Sequence, residues 1–257
     1  MLPIFRIKRR SLTTILGLLA LVGLVAFTEQ QQRRRRCQSI LIRMDEVDGH
    51  RFLNRNDVLR TLTNEGADPL VGDLFQSINF KQLERRLKAN GLIQRCQVGR
   101  DLMGNLTVVI EQQRPLARLV SLGEEERSAG GVYLNDEGKW FPLSMNYTAR
   151  VPLLAGAYFK ERKPLTGEQG RPLVELLRRI SADPFWKAQI AQVVVDEERE
   201  VTLVPQVGDQ LIEIGQPTEL EPKFKKIKLF YEYILPAKGW ERYRKVSVQY
   251  RNQIVCE

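Results

Sequence analysis

Histidine is nearly missing from this sequence. There is one, His50, in 257 residues, together with three cysteines, Cys37, Cys96 and Cys256. That poverty argues against a structural zinc site and against imidazole-dependent nucleophile chemistry, since both need several such side chains at short spacing. His50 stands in Asp48-Gly49-His50-Arg51, a loop-like stretch without a serine or cysteine partner motif, and reads as a solvent-exposed loop residue. A P-loop, a G-x-G-x-x-G, a G-x-S-x-G and an H-E-x-x-H are all absent. Acidic residues cluster at Glu124-Glu125-Glu126 and Glu197-Glu198, but in polar, turn-like surroundings where water screens them. The chain therefore reads as a protein with no catalytic residue, no cofactor and no metal. The odd number and non-metal spacing of the cysteines leave the redox compartment open and fit three small, mostly buried side chains.

Long hydrophobic runs are scarce too, and the single exception organises the chain. From Ser11 to Thr28 no residue is charged. As a helix rising about 1.5 Å per residue this stretch would cover ~27 Å, close to a hydrocarbon core of ~30 Å. Arginines on both sides can reach the headgroups and absorb the small mismatch. No small-x-small site follows the run, because Ala26-Phe27-Thr28 and Leu24-Val25-Ala26 put a large residue where cleavage wants a small one. Residues 12–28 are thus expected to be an uncleaved transmembrane helix. Four basic residues precede it and four follow, so the charge count alone does not orient it. The N-terminal tail, residues 1–11, is too short to be a domain and is expected in the cytoplasm, with the rest of the chain outside.

The same residues account for the charge. Of the formal +9, residues 1–36 supply +7 through Arg6, Lys8, Arg9, Arg10, Arg33, Arg34, Arg35 and Arg36 against Glu29, leaving +2 for residues 37–257. A nucleic-acid-binding domain needs a dense basic face, and none remains once the span's flanks are set aside.

After a basic linker, residues 29–36, the pattern divides at about residue 113. Gln38–Met44 is a β-branched run; Asn54-Arg55-Asn56-Asp57 opens a helix with Val58, Leu59 and Leu62 as its apolar face; Gly66 ends it. Ser77 or Asn79 caps a second helix whose Phe80, Leu83 and Leu87 recur at helical spacing, with Asn90-Gly91 as an expected left-handed stop. Strand-like runs at Ile93–Arg100 and Asn105–Glu111 flank the turn Asp101-Leu102-Met103-Gly104. Farther on, Val132–Leu143 reads as two strands joined by an Asp/Glu-Gly turn, and Val151–Gly156 is extended. A helix is expected over Pro172–Ser181, a hairpin over Gln192–Asp196 and Val201–Pro205, and a strand over Leu211–Gly215. A long helix near Pro222 carries the stripe Phe224, Ile227, Tyr231, Ile234, with Lys223, Lys225, Lys226 and Lys228 on what reads as its solvated face. From Lys245 to Cys256 apolar and polar residues alternate with a period of two, which predicts one continuous strand.

The β-α-α-β-β order beyond a single N-terminal span, with Leu83-x3-Leu87-x3-Gly91-Leu92-Ile93 leading to Val98-x-Arg100, then Leu106-x-Val108-x-Ile110-Glu111 and Arg114-Pro115-Leu116-Ala117, resembles a POTRA module. Val132-Tyr133-Leu134-Asn135-Asp136-Glu137-Gly138-Lys139-Trp140-Phe141-Pro142-Leu143, Val151-Pro152-Leu153-Leu154-x-Gly156 and the final run resemble the β domain of the FtsQ/DivIB cell-division family. Ser247, Val248 and Gln249 replace the Asp-Leu-Arg usual in the family's last strand. The resemblance implies an α+β protein with a POTRA-like module at residues 37–113 and a β-rich domain at 114–257 that ends in an edge strand. It further implies a division scaffold of the bacterial inner membrane, its C-terminal part periplasmic, that recruits FtsB- and FtsL-like proteins at the septum without binding nucleic acid. A POTRA-containing envelope transport or assembly component is the alternative. On the family's pattern the partner-binding residues are Val248, Tyr250, Arg251, Asn252, Gln253, Ile254 and Val255, with Tyr250 as hot spot. The opposing reading, in which Tyr250 belongs to the core, follows from its shared parity with Val246 and Val248.

Overall fold

The computed structural model describes residues 16–24, 35–45, 51–120 and 131–257. Residues 16–24 form a helix, α1, whose side chains are all exposed, Leu16, Leu18, Leu19, Leu21, Val22 and Leu24 among them. The other positions of the expected span lie outside the described residues, as do His50 and Glu124-Glu125-Glu126. Among the described residues no helix is long and apolar enough to cross a membrane. The described residues divide into two compact units, one holding residues 16–24, 35–45 and 54–111, the other 51–53, 112–120 and 131–257.

In the first unit, β1 (Ile40–Met44), α2 (Arg55–Leu62), α3 (Phe80–Lys88), β2 (Ile93–Arg100) and β3 (Leu106–Gln112) follow in that order. The sheet order is β1-β3-β2, with β1 parallel to β3 from Ile40 opposite Leu106 to Met44 opposite Ile110. Alternation of side chains puts Leu106, Val108 and Ile110 on one face, where all three are buried. The helices supply Val58, Leu62, Leu83 and Leu87 to the interior. Their starts follow from the caps. Asn54 accepts from Asp57 N while Asp57 accepts from Asn54 N, a reciprocal box that satisfies two otherwise unpaired donors. Asn79 accepts from Gln82 N at 3.1 Å. The expected left-handed stop at Asn90-Gly91 does not form, since neither residue has a positive φ. Ala89 N bonds Arg85 O and Asn90 N bonds Leu87 O, so the helix closes in right-handed conformation.

Among the described residues the second unit is built on a nine-stranded mixed sheet in the order β12-β11-β10-β9-β8-β7-β4-β5-β6. Its strands are β4 (Pro115–Leu119), β5 (Val132–Asn135), β6 (Trp140–Pro142), β7 (Leu153–Ala155), β8 (Ile190–Val195), β9 (Val201–Pro205), β10 (Leu211–Gly215), β11 (Lys245–Ser247) and β12 (Val255–Cys256). Helices α4 (Arg171–Ala182), α5 (Pro184–Gln189) and α6 (Leu220–Leu229) contribute Leu173, Leu176, Leu177, Ile180, Trp186, Phe224 and Ile227 to one core with Leu154, Val193, Leu203, Ile212 and Val246. Past α6 the chain continues as a π-helical turn, Phe230–Ile234, and a last short helix, α7 (Leu235–Lys238). Strand β4, which the sequence pattern did not mark, fits between β5 and β7 because Leu116, Ala117 and Leu119 are all buried. Phe52 also belongs here, fully buried against Tyr133, Phe141 and Tyr147 with ring centroids 5.6, 6.0 and 5.7 Å away.

The C-terminal run is not the single strand that its period predicts. β11 ends at Ser247, the chain turns through Tyr250–Asn252 with Asn252 at φ +60°, and β12 returns antiparallel to β11. Alternation holds on both arms, so a hairpin and a continuous strand read alike in the sequence.

Candidate partner-binding site

Among the described residues β12 closes one end of the nine-stranded sheet, its pairing with β11 extended by Glu257, whose N–H donates to Lys245 O at 2.9 Å. β11 in turn lies parallel to β10 and is tied to it by the ion pair Lys245–Glu213 at 2.7 Å. The hairpin turn stands beside α6, and the two enclose a groove of about 750 Å³. One wall presents Pro222, Lys226 and Leu229, residues three and four apart and hence on one helix face; the other presents Tyr250 to Ile254.

Lys226 joins the walls. Its ammonium donates to the carbonyl of Tyr250 at 2.6 Å and to that of Val248. One turn earlier Lys223 is buried, and its ammonium donates to Gln216 O at 2.6 Å. Burial holds both ammonium groups below the ordinary lysine range, and for Lys223 the nearby Lys226 charge adds to the effect. These two lysines correct the expectation that all four basic residues of α6 form a solvated face. The aliphatic stems pack while the heads find carbonyls, a placement that hydropathy periodicity does not register.

The structure distributes the seven expected partner-binding residues unequally. Val248 is fully buried beside Val246, and its N–H donates to Glu213 O at 2.9 Å, so its side chain serves the core and offers a partner no surface. Tyr250 shares their parity but not their environment. The backbone leaves the ladder after Ser247, and Tyr250 is 49% exposed. Arg251, Asn252 and Gln253 are exposed at the turn, while Ile254 and Val255 are half-buried on the returning arm. Tyr250, Arg251, Asn252, Gln253 and Ile254 line the groove together. The residues of α6 that complete it were not among the expected ones; the spacing of Pro222, Lys226 and Leu229 was the available signal.

Among the described residues no three His, Cys, Asp or Glu side chains are placed to hold a metal ion. The three cysteines are free thiols, Cys37 buried and the other two half-buried.

A family model for the POTRA-like domain matches residues 35–111. A second, described as FtsQ/DivIB, C-terminal related, matches residues 114–257, more than half the chain. No curated protein matches. The family consists of non-enzymatic division scaffolds associated with the septum, the membrane and other divisome proteins. With a POTRA-like unit followed by the C-terminal domain that its model describes, the chain belongs to the FtsQ/DivIB family of cell-division proteins.

Proposed function

We propose that this protein is a bitopic scaffold of the bacterial inner membrane, anchored through residues 12–28, whose extracytoplasmic part recruits FtsB- and FtsL-like proteins to the septum and so links early division proteins to septal wall synthesis. The observation that carries the reading is the hairpin β11–β12 at the end of the sheet, with an exposed tyrosine on its turn. A terminal strand leaves main-chain N–H and C=O groups available to a further strand, so an extended partner segment gains affinity from the backbone and selectivity from side chains at alternate positions. Tyr250 suits the role of anchor. It combines a large apolar area with a polar tip and few rotatable bonds, and it is mounted on a turn braced by Lys226.

Binding of an FtsB-like segment to residues 37–257 tests the reading. Tyr250→Ala is expected to abolish binding while the circular dichroism spectrum and melting temperature stay near those of the parent. An unchanged dissociation constant overturns the assignment of Tyr250. A fluorescent fusion concentrated in a midcell ring is the expected cellular result, whereas a uniform envelope signal favours a transport role.

A further inference from the structure

The entry of the chain into the first unit is flanked by exposed apolar side chains that no packing in the unit explains. Arg35 donates from Nη1 to the carbonyl of Leu102, in the turn between β2 and β3, at 3.1 Å. Arg36 donates from Nη1 to the carbonyl of Gly72 at 2.8 Å. Cys37 N then bonds Asp73 O and Gly72 N bonds Cys37 O, both at 2.8 Å. Two loops about thirty residues apart in sequence are thus pinned to three consecutive residues of the entering chain. At their tips stand Val71, 53% exposed, and Leu102 and Met103, each 76% exposed.

Turn chemistry does not call for these residues. The β2–β3 turn is closed by Asp101, whose carboxylate accepts from Met103 N at 2.9 Å and Asn105 N at 2.7 Å, and by Gly104 at φ +90°. Those hydrogen bonds hold the Asp101 carboxyl below the ordinary carboxylate range and commit its oxygens to the turn itself. Polar residues would serve at positions 102 and 103, so two large apolar side chains there need another reason.

Chain length supplies one. The uncharged run ends at Thr28, seven residues before Arg35, and seven residues span at most about 25 Å. If residues 12–28 cross the membrane, these two loops are the part of the unit that the tether holds nearest to it. Arg33, Arg34, Arg35 and Arg36 stand in the same stretch. Each guanidinium has five N–H donors, so Arg35 and Arg36 keep donors for phosphate beyond the carbonyls they bond.

We propose that Val71, Leu102 and Met103 rest in the interfacial layer of a bilayer rich in anionic phospholipid, with Arg35 and Arg36 on its phosphates, so that the first unit is seated on the membrane and does not swing freely from the linker. The proposal rests on the reading of residues 12–28 as a membrane span. Such side chains enter the headgroup and acyl boundary to a depth of ~5–10 Å, and basic residues beside them add attraction to anionic lipid.

The test uses the full chain with Cys96→Ser and Cys256→Ser in nanodiscs containing brominated phosphatidylglycerol, with a bimane fluorophore on one introduced cysteine at a time. Met103→Cys reports the seated tip. Arg95→Cys, exposed on β2 and five residues back from the strand's end at Arg100, lies ~17 Å from the start of the turn at strand spacing and is the reference. Leu21→Cys reports the span. Quenching at position 103 is expected to exceed that at 95 roughly threefold, and to fall when phosphatidylcholine replaces phosphatidylglycerol. Equal quenching at 103 and 95 with strong quenching at 21 overturns the seating and leaves the span standing. No quenching at 21 overturns both. Quenching at 103 indifferent to the headgroup overturns the part given to the arginines.

Discussion

The Lys226 ammonium sits 2.6 Å from the carbonyl oxygen of Tyr250 and also donates to Val248 O, so a helix side chain holds the arm that leads out of β11 and the first residue of the turn, the exposed tyrosine. The contact brings together residues 24 positions apart and makes the shape of the turn depend on α6. An aromatic anchor binds well only if the backbone beneath it is already ordered, because ordering it on binding would consume part of the gain.

Lys226→Met keeps the aliphatic stem and removes the donors. We expect amide hydrogen exchange over residues 249–253 to accelerate and the affinity for an FtsB-like segment to fall roughly tenfold, with a loss of global stability of only about 1 kcal/mol because the group is partly solvated. Lys226→Arg is expected to recover part of the affinity. Unchanged exchange over the turn would show that the lysine is not what orders it.

Leu87 is fully buried on α3. Leu87→Ala removes contacts and leaves a cavity, at a cost of ~2–5 kcal/mol to the first unit. Faster hydrogen exchange in β2 and β3, with β8 and β9 unaffected, is the expected pattern; retention of the parent's protection in β3 would remove Leu87 from the core.

Gly156 has φ +119°, and a Cβ there would lie 1.9 Å from Val195 O. Strain and overlap act together, so Gly156→Ala is expected to cost more than about 3 kcal/mol. Denaturant melts of the second unit measure it. A loss within ordinary surface limits would mean that the strand pair β7–β8 can spread to admit a methyl group.

Burial raises the thiol of Cys37 above its ordinary value, with a further contribution from the Asp73 charge, against lowering by the backbone N–H of Leu106. The folded chain therefore keeps this proton to higher pH than the unfolded chain. The resulting stability is fully present below the unfolded thiol's value of about 8.5 and is lost as pH rises through the raised one. Stability of the first unit is expected to fall more steeply with alkaline pH in the parent than in Cys37→Ala, as read by hydrogen exchange in β1 and β3. Parallel curves would remove the thiol as the cause.

Local signals fixed much of this protein in advance. The cluster Asn54–Asp57 and the pair Ser77 and Asn79 marked helix starts because a side-chain oxygen near unpaired N–H groups is a local event, the structure choosing Asn54 and Asn79 as the caps, and Asp101-Leu102-Met103-Gly104 marked a turn for the same reason. The stripe Leu173, Leu176, Leu177, Ile180 and the alternation in β3 and β9 announced buried faces without reference to any neighbour. Tertiary structure decided what depends on contacts between distant segments. Alternation from 245 to 256 is equally compatible with one strand and with two that fold back, and the choice falls to the pairing of β11 with β10 on one side and β12 on the other. Tyr250 left the core for the same reason, since parity holds only while the ladder continues and it ends after Ser247. Lys226 reads as one more solvated lysine until α6 is laid beside the turn, when its flexible stem carries the charge to two carbonyls that the sequence places more than twenty residues away.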